Sequence, residues 1–447
     1  MQTGNSNEAD SGVPNRPVNH SCAVCDRPAL LLAMLLLALG LTNRWLSVEQ
    51  AVQLEQATDI RSYLQIAALA PALPPADAHL ISHHAQRFLL PYVVGTVAFY
   101  AHLSPQLVFR GAVLVLIVVI LRLAWRIFQH LQLPVPDGLL CLSLFILHPY
   151  ALRYYLAIPA MANDLLFVVG LLLLIHSLFR GRLGLALAAV VIGTIAKQTM
   201  LLLLPVAAWW ILFHRPWNSL PLSRRLVALS LIILPALACY EVTAWVARGF
   251  AAESLGAIPL LTGLLRWCRS DFNAPFLANF LFRGLLPFLF PLSIMCAVLL
   301  KRRPALPPEF YFLIAVALSC CVQPLLSGPV VCGHAILRLN ALACLPVLAA
   351  LGLLLREAKL PPLSSPALLL CGSFIALGSL HHRLIYNGPA VREDPSVAVA
   401  GSTISPAGTL FICLYCVMAF LTGVLFWLAS PRSAPRLTEL PSPDRTP

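Results

Sequence analysis

Residues 163–199 read NDLLFVVGLLLLIHSLFRGRLGLALAAVVIGTIAKQT. Two apolar runs, 164–179 and 183–196, are separated only by Arg180-Gly181-Arg182. Neither run alternates with period two, so neither reads as a half-buried strand. Each reads as a membrane-spanning helix, and the basic turn between them belongs at a membrane surface. The second run stops at Lys197-Gln198-Thr199, a lysine where hydrocarbon contact is expected.

The rest of the chain has the same character. Of 447 residues, 59% are hydrophobic and only 11% charged, against about 25% charged in an average soluble domain. So few charges cannot cover a soluble surface of this size. The expected fold is all-α, a polytopic transmembrane bundle of about 12 spans with amphipathic helices in the first outer loop. Residues 1–28 read as a disordered cytoplasmic tail, 29–430 as the membrane domain, and 431–447 as a second cytoplasmic tail. The run from Ala29 lacks a following small-residue cleavage site and is read as a retained first span to about Trp45.

Residues 47–86 form a polar interval in which Val52, Ile60, Leu64 and Ala67 recur at near-helical spacing. This predicts a helix lying along the membrane surface. Glu49, Glu55, Asp59 and Asp77 make the interval acidic, so it belongs outside. The stretch 87–103 is read as a surface or re-entrant helix. Further spans are expected at 107–128, 138–150, 164–179, 183–196, 199–213, 226–247, 281–300, 309–326, 335–355, 364–380 and 408–429. Pro149, Pro159, Pro205, Pro235, Pro287, Pro291 and Pro346 should kink or end them. With this register, Arg122, Arg126, Arg180, Arg182, Arg215, Arg224, Arg225, Lys301, Arg302, Arg303, Arg356 and Lys359 fall inside, with few acids among them. Both termini are then cytoplasmic, as the positive-inside rule asks of a multi-pass protein of the cell (inner) membrane.

The net charge of +12 is explained by these loops. No basic stripe with interleaved aromatics suggests nucleic acid. The cysteines lie mostly within apolar runs as small hydrophobes. Cys22 and Cys25, with His20, fall short of the four ligands of a zinc site. No phosphate-binding glycine loop, nucleophile elbow or H-E-x-x-H zinc motif is present.

Several residues carry possibilities for chemistry. Asp59, Tyr63 and Ala67 share a helix face; Asp59 there reads as a general base or as a solvated surface acid. Asp164 stands at a helix start, as a functional acid or a plain cap. Lys197 and Arg338 open or interrupt spans, and with Arg87 they suit a phosphate or pyrophosphate clamp. Snorkelling to the interface is the alternative for each. The pairs His83-His84 and His381-His382 read as ordinary interfacial polarity.

The order of these parts resembles the GT-C superfamily of membrane glycosyltransferases, in its small bacterial form without a soluble domain. The resemblance rests on Asp59-x-x-x-Tyr63 after the first span and Arg87-x-x-x-Pro91 before the next. It continues with the Pro-Tyr-rich stretch from Pro149 to Asp164, with Lys197-Gln198-Thr199, and with Arg338 opening a late span. It covers the N-terminal half well and the C-terminal half loosely. It implies transfer of a sugar from a polyprenyl-phosphate donor to a glycan or lipid acceptor at the outer face of the bilayer. Asp59 would be the catalytic base, with Asp164 orienting sugar or acceptor. Tyr63, Arg87, Lys197, Gln198 and Arg338 would bind substrate. No organic cofactor is implied, and a divalent cation is optional. Many relatives pair the first-loop acid with a second one, where this chain has Ile60 and Arg61. Competing readings are a transporter or flippase of lipid-linked sugars, and an oligosaccharide polymerase or ligase. A transporter places its charges near mid-span, and a polymerase carries a larger late outer loop.

Overall fold

The computed structural model describes residues 58–78, 80–148, 151–152, 154–251, 281–282, 284–332, 336–360 and 406–430. Among these residues the protein is all-helical, and a lone bridge between Leu80 and Ala251 is the nearest thing to sheet. In chain order the helices are α1 (Thr58–Leu69), α2 (Ser82–Ala85), α3 (Leu89–Ala101), α4 (Pro105–His130), α5 (Val135–Leu147), α6 (Tyr154–Ala157), α7 (Ala162–Arg180) and α8 (Leu183–Ala196). They continue with α9 (Leu204–Phe213), α10 (Leu222–Ala247), α11 (Leu289–Arg302), α12 (Pro308–Cys332), α13 (Ile336–Ala341), α14 (Cys344–Ala358) and α15 (Pro406–Ala429).

Among the described residues, four segments are long and apolar enough to cross a membrane by length and composition: Pro105–His130, Pro159–Arg180, Leu222–Ala247 and Pro308–Leu325. They are not equivalent. In the apolar window of Pro159–Arg180, 83% of residues are buried inside the protein, against 22% for Leu222–Ala247. Helix α7 is therefore central. Helix α10 turns Leu226, Val227, Leu234, Val242 and Trp245 outward, an apolar surface too extensive for water and suited to lipid. Helices α3, α5, α8 and α9 have 13, 13, 14 and 10 residues. At 1.5 Å per residue they are roughly 15–21 Å long, short of a hydrocarbon core of about 30 Å.

The expected span at 199–213 is divided into a 3-10 turn, Gln198–Leu203, and α9. The expected span at 335–355 is likewise divided between α13 and α14. The prolines mostly begin segments. Pro159, Pro205 and Pro287 occupy first-turn positions, where a missing N–H costs nothing. Among the described prolines of this group, Pro235 alone stands deep inside a long helix. The expected first span and the run 364–380 lie outside the described residues.

The α7–α8 hairpin sets the geometry of the whole. Helix α7 ends at Gly181, with φ of 66°, and Arg182 N–H closes on Ser177 O at 3.0 Å. Glycine suits this left-handed cap, and a Cβ there would also meet the Pro216 ring. Helix α8 then returns along α7, and the two cross at glycines. A Cβ on Gly170 would lie 2.8 Å from Gly193 Cα, so backbone meets backbone without an intervening side chain.

The turn end of this hairpin gathers the basic loops. His130, closing α4, stacks on Phe179 with centroids 5.6 Å apart. Trp217 donates to Leu178 O at 2.8 Å, and Arg356 donates to Leu131 O. Phe179 also packs on Phe312, near the start of α12. Arg122, Arg126, Arg180, Arg182 and Arg215 are all exposed at or beside this end.

Candidate functional site

At the opposite end of the hairpin, about sixteen residues or roughly 24 Å along α7 from Arg180, stands Asp164 in the first turn. The residue preceding α7 is Met161, which makes no side-chain cap. Asp164 does not serve as a plain cap either, because both of its oxygens are engaged elsewhere. Lys197 Nζ donates to Oδ1 at 2.7 Å. Arg338 pairs with Oδ2 at 3.2 Å, and Tyr155 Oη donates to Oδ2 at 3.3 Å. The glycine crossing explains the first contact. Residues 164 and 197 lie at similar distances from the turn, and α7 and α8 run close enough for short bridges between them.

Arg87 joins from the segment between α2 and α3. Its Nε donates to Gln198 Oε1 at 3.1 Å, and Gln198 Nε2 donates to Gln86 Oε1 at 2.7 Å. Its backbone carbonyl accepts from Asn163 Nδ2 at 3.2 Å. The Arg87 charge is near enough to act on both Asp164 and Lys197. Arg338 comes from α13 and lies 5.7 Å over the Tyr154 ring, a cation–π arrangement. Thr199 donates to Gln323 Oε1 and so ties the 197–199 turn to α12.

Four residues expected at the site, Arg87, Asp164, Lys197 and Arg338, thus converge from positions 251 apart in sequence. All are buried, at 8%, 3%, 2% and 6% exposure respectively. Lys197 does not snorkel. Gln198 bridges Arg87 to Gln86. Tyr63 is buried on α1, its ring 5.7 Å from His84, three residues before Arg87. Asp59 belongs to the same helix, but its side chain lies outside the described residues.

The electrostatics are unbalanced. Lys197 has a carboxylate, whereas Arg87 meets only the neutral oxygen of Gln198; no carboxylate pairs with it among the described residues. Burying an ion costs several kcal/mol unless its surroundings offset it. The Arg87 charge is thus held by a single carboxamide among the described residues.

Tyr155, Asn163, Gln86 and Gln323 also belong to this constellation, although sequence reading assigned them no role. Adjacency to Asp164 and Arg87 was the only signal for Asn163 and Gln86. His84 corrects an expectation: it is buried, with Nδ1 3.4 Å from Ser62 Oγ, because α1 packs over it. His381 and His382 lie outside the described residues.

A divalent cation does not fit at Asp164, whose oxygens are taken by two cations and a phenol. Among the described residues no three His, Cys, Asp or Glu side chains come together. Comparison with known proteins finds no matching family model, curated protein or solved structure.

Proposed function

We propose that this protein is a polytopic membrane glycosyltransferase of the GT-C kind, with about 12 spans, that moves a sugar from a polyprenyl-phosphate carrier to a glycan or lipid acceptor. The observation that carries the reading is Arg87, a buried cation with a neutral partner, set beside the Lys197–Asp164–Arg338 bridge. A phosphate supplies the missing negative charge. The cluster's position supports a surface reaction: it sits at one end of α7, opposite the loops rich in exposed arginine. The positive-inside rule makes the arginine end cytoplasmic and the cluster end outer. A transporter would centre such charges within its spans.

In this reading the acceptor hydroxyl attacks the anomeric carbon while the bond from that carbon to the phosphate oxygen breaks. The hydroxyl proton passes to Asp59, and the electron pair leaves with the polyprenyl phosphate. Arg87, Lys197 and Arg338 stabilise the charge that develops on the leaving oxygen, a contribution of about 10²–10³-fold for a single preorganised donor. Asp164 holds Lys197 and Arg338 in place and takes no proton. Gln198 fixes the Arg87 fork, and Tyr63 supports the helix that carries Asp59.

Product analysis in reconstituted vesicles tests this. Labelled polyprenyl-phosphate sugar should yield glycosylated acceptor and free polyprenyl phosphate in equal amounts. Asp59→Asn should lower the rate by about two orders of magnitude with donor binding retained. Movement of intact lipid-linked sugar across the bilayer, without cleavage, would mean a flippase.

A further inference from the structure

Asn163 has a polar atom that nothing among the described residues satisfies. The residue is 2% exposed and stands beside Asp164 in the first turn of α7. Its Nδ2 donates to the Arg87 carbonyl, which fixes the carboxamide and decides which atom is the acceptor. Its Oδ1 has no hydrogen-bond partner among the described residues. Buried acceptors are normally satisfied, and an exception calls for a reason. Asn163 neighbours Asp164, whose partners include the cations Lys197 and Arg338, with Arg87 beside them, at the positive end of α7. Those groups suit a phosphate, and the diester phosphate of a lipid-linked sugar has no hydrogen to give an amide oxygen at neutral pH. A sugar hydroxyl does.

We propose that Asn163 Oδ1 accepts a hydroxyl of the sugar bound next to the phosphate, making Asn163 a specificity-determining residue. This rests on the lipid-phosphate reading of the site. The cations read the carrier's phosphate, and Asn163 reads the sugar attached to it. A site built to bond a hydroxyl rejects an analogue lacking it, because its own polar group is then left unpaired.

Asn340 supplies a control. It too is 2% exposed, donates through Nδ2 to a backbone carbonyl, that of Gly284, and leaves Oδ1 without a partner among the described residues. It lies two residues beyond Arg338, about 200° around α13, and so faces away from the cluster.

The experiment measures binding of two probes to the purified full-length protein in nanodiscs. One is a short-chain polyprenyl phosphate. The other is the same lipid phosphate esterified to glucose, mannose, galactose or arabinose, each tried in turn. With Asn163→Leu, affinity for the best sugar-bearing probe should fall roughly tenfold, the effect of about 1.4 kcal/mol. Affinity for the bare lipid phosphate should stay within about twofold. Asn163→Asp, which keeps an acceptor, should retain discrimination between the best sugar and its deoxy analogues. Asn340→Leu should change both probes alike. Equal losses on both probes with Asn163→Leu, or no loss on either, would overturn the proposal and leave the phosphate reading standing. The same split with Asn340→Leu would trace the effect to a loosened core and also overturn it. If the wild-type protein binds neither probe, the lipid-phosphate reading fails, and the role of Asn163 falls with it.

Discussion

The two ends of the α7–α8 hairpin are both rich in cations, yet they use them in opposite ways. At the turn, Arg180 and Arg182 are exposed, and no acid pairs with them among the described residues. At the other end, Lys197, Arg338 and Arg87 are buried and held by Asp164 and Gln198. Charge left in water costs the fold little and can orient a helix pair in a bilayer. Charge drawn inside must be matched, and the matching sets residues with angstrom accuracy. The first kind of charge is topological information, and the second is chemistry.

Removing the acid should break this contrast most severely. Asp164→Asn leaves Lys197 buried without its carboxylate and takes one partner from Arg338, and should cost about 3–5 kcal/mol in stability. Chemical unfolding in detergent checks this. Adding Lys197→Met to that variant should recover part of the loss, since the two effects are coupled. A simple sum of the two single losses would show that the bridge at 2.7 Å carries no such weight.

Next in size is the crossing that places the bridge. Gly170→Leu forces side-chain atoms into the Gly193 backbone and should cost about 1–3 kcal/mol. A cross-link between cysteines placed at 164 and 197 should then form more slowly. Arg87→Gln should be milder in stability, about 1 kcal/mol, because only a bond to a neutral partner is lost. Smallest are Arg180→Gln and Arg182→Gln, each expected within about 0.5 kcal/mol. A loss of several kcal/mol at Arg180 would show that the turn end is also internally paired.

The sequence revealed the cations and the acid because each interrupts an apolar run, where a polar residue stands out against lipid-like surroundings. Lys197 after a run of 14 residues is the plainest case. Their meeting was inferred from order and expected side of the membrane. The contacts themselves depend on Gly170 meeting Gly193, and no local pattern says which glycines touch. Asn163 and Tyr155 lay within sight, but neighbouring polar residues at a helix start have too many uses for spacing to separate them. Helix lengths were the least legible feature. Apolar character is much the same in α10, which turns apolar side chains outward, and in α14, which is enclosed by protein. A short helix buried among others therefore reads like a span. Splitting of the run near 199–213 follows from the bonds of Gln198 and Thr199, which need partners distant in sequence.

The contrast between the two ends can be put to a single measurement: sugar transfer from labelled polyprenyl-phosphate sugar in vesicles by Arg87→Gln and by Arg180→Gln, at matched amounts of folded protein. The account predicts a loss of about 10²-fold or more for Arg87→Gln and near-wild-type turnover for Arg180→Gln. Near-wild-type transfer by Arg87→Gln, or an equal loss in both variants, would contradict it.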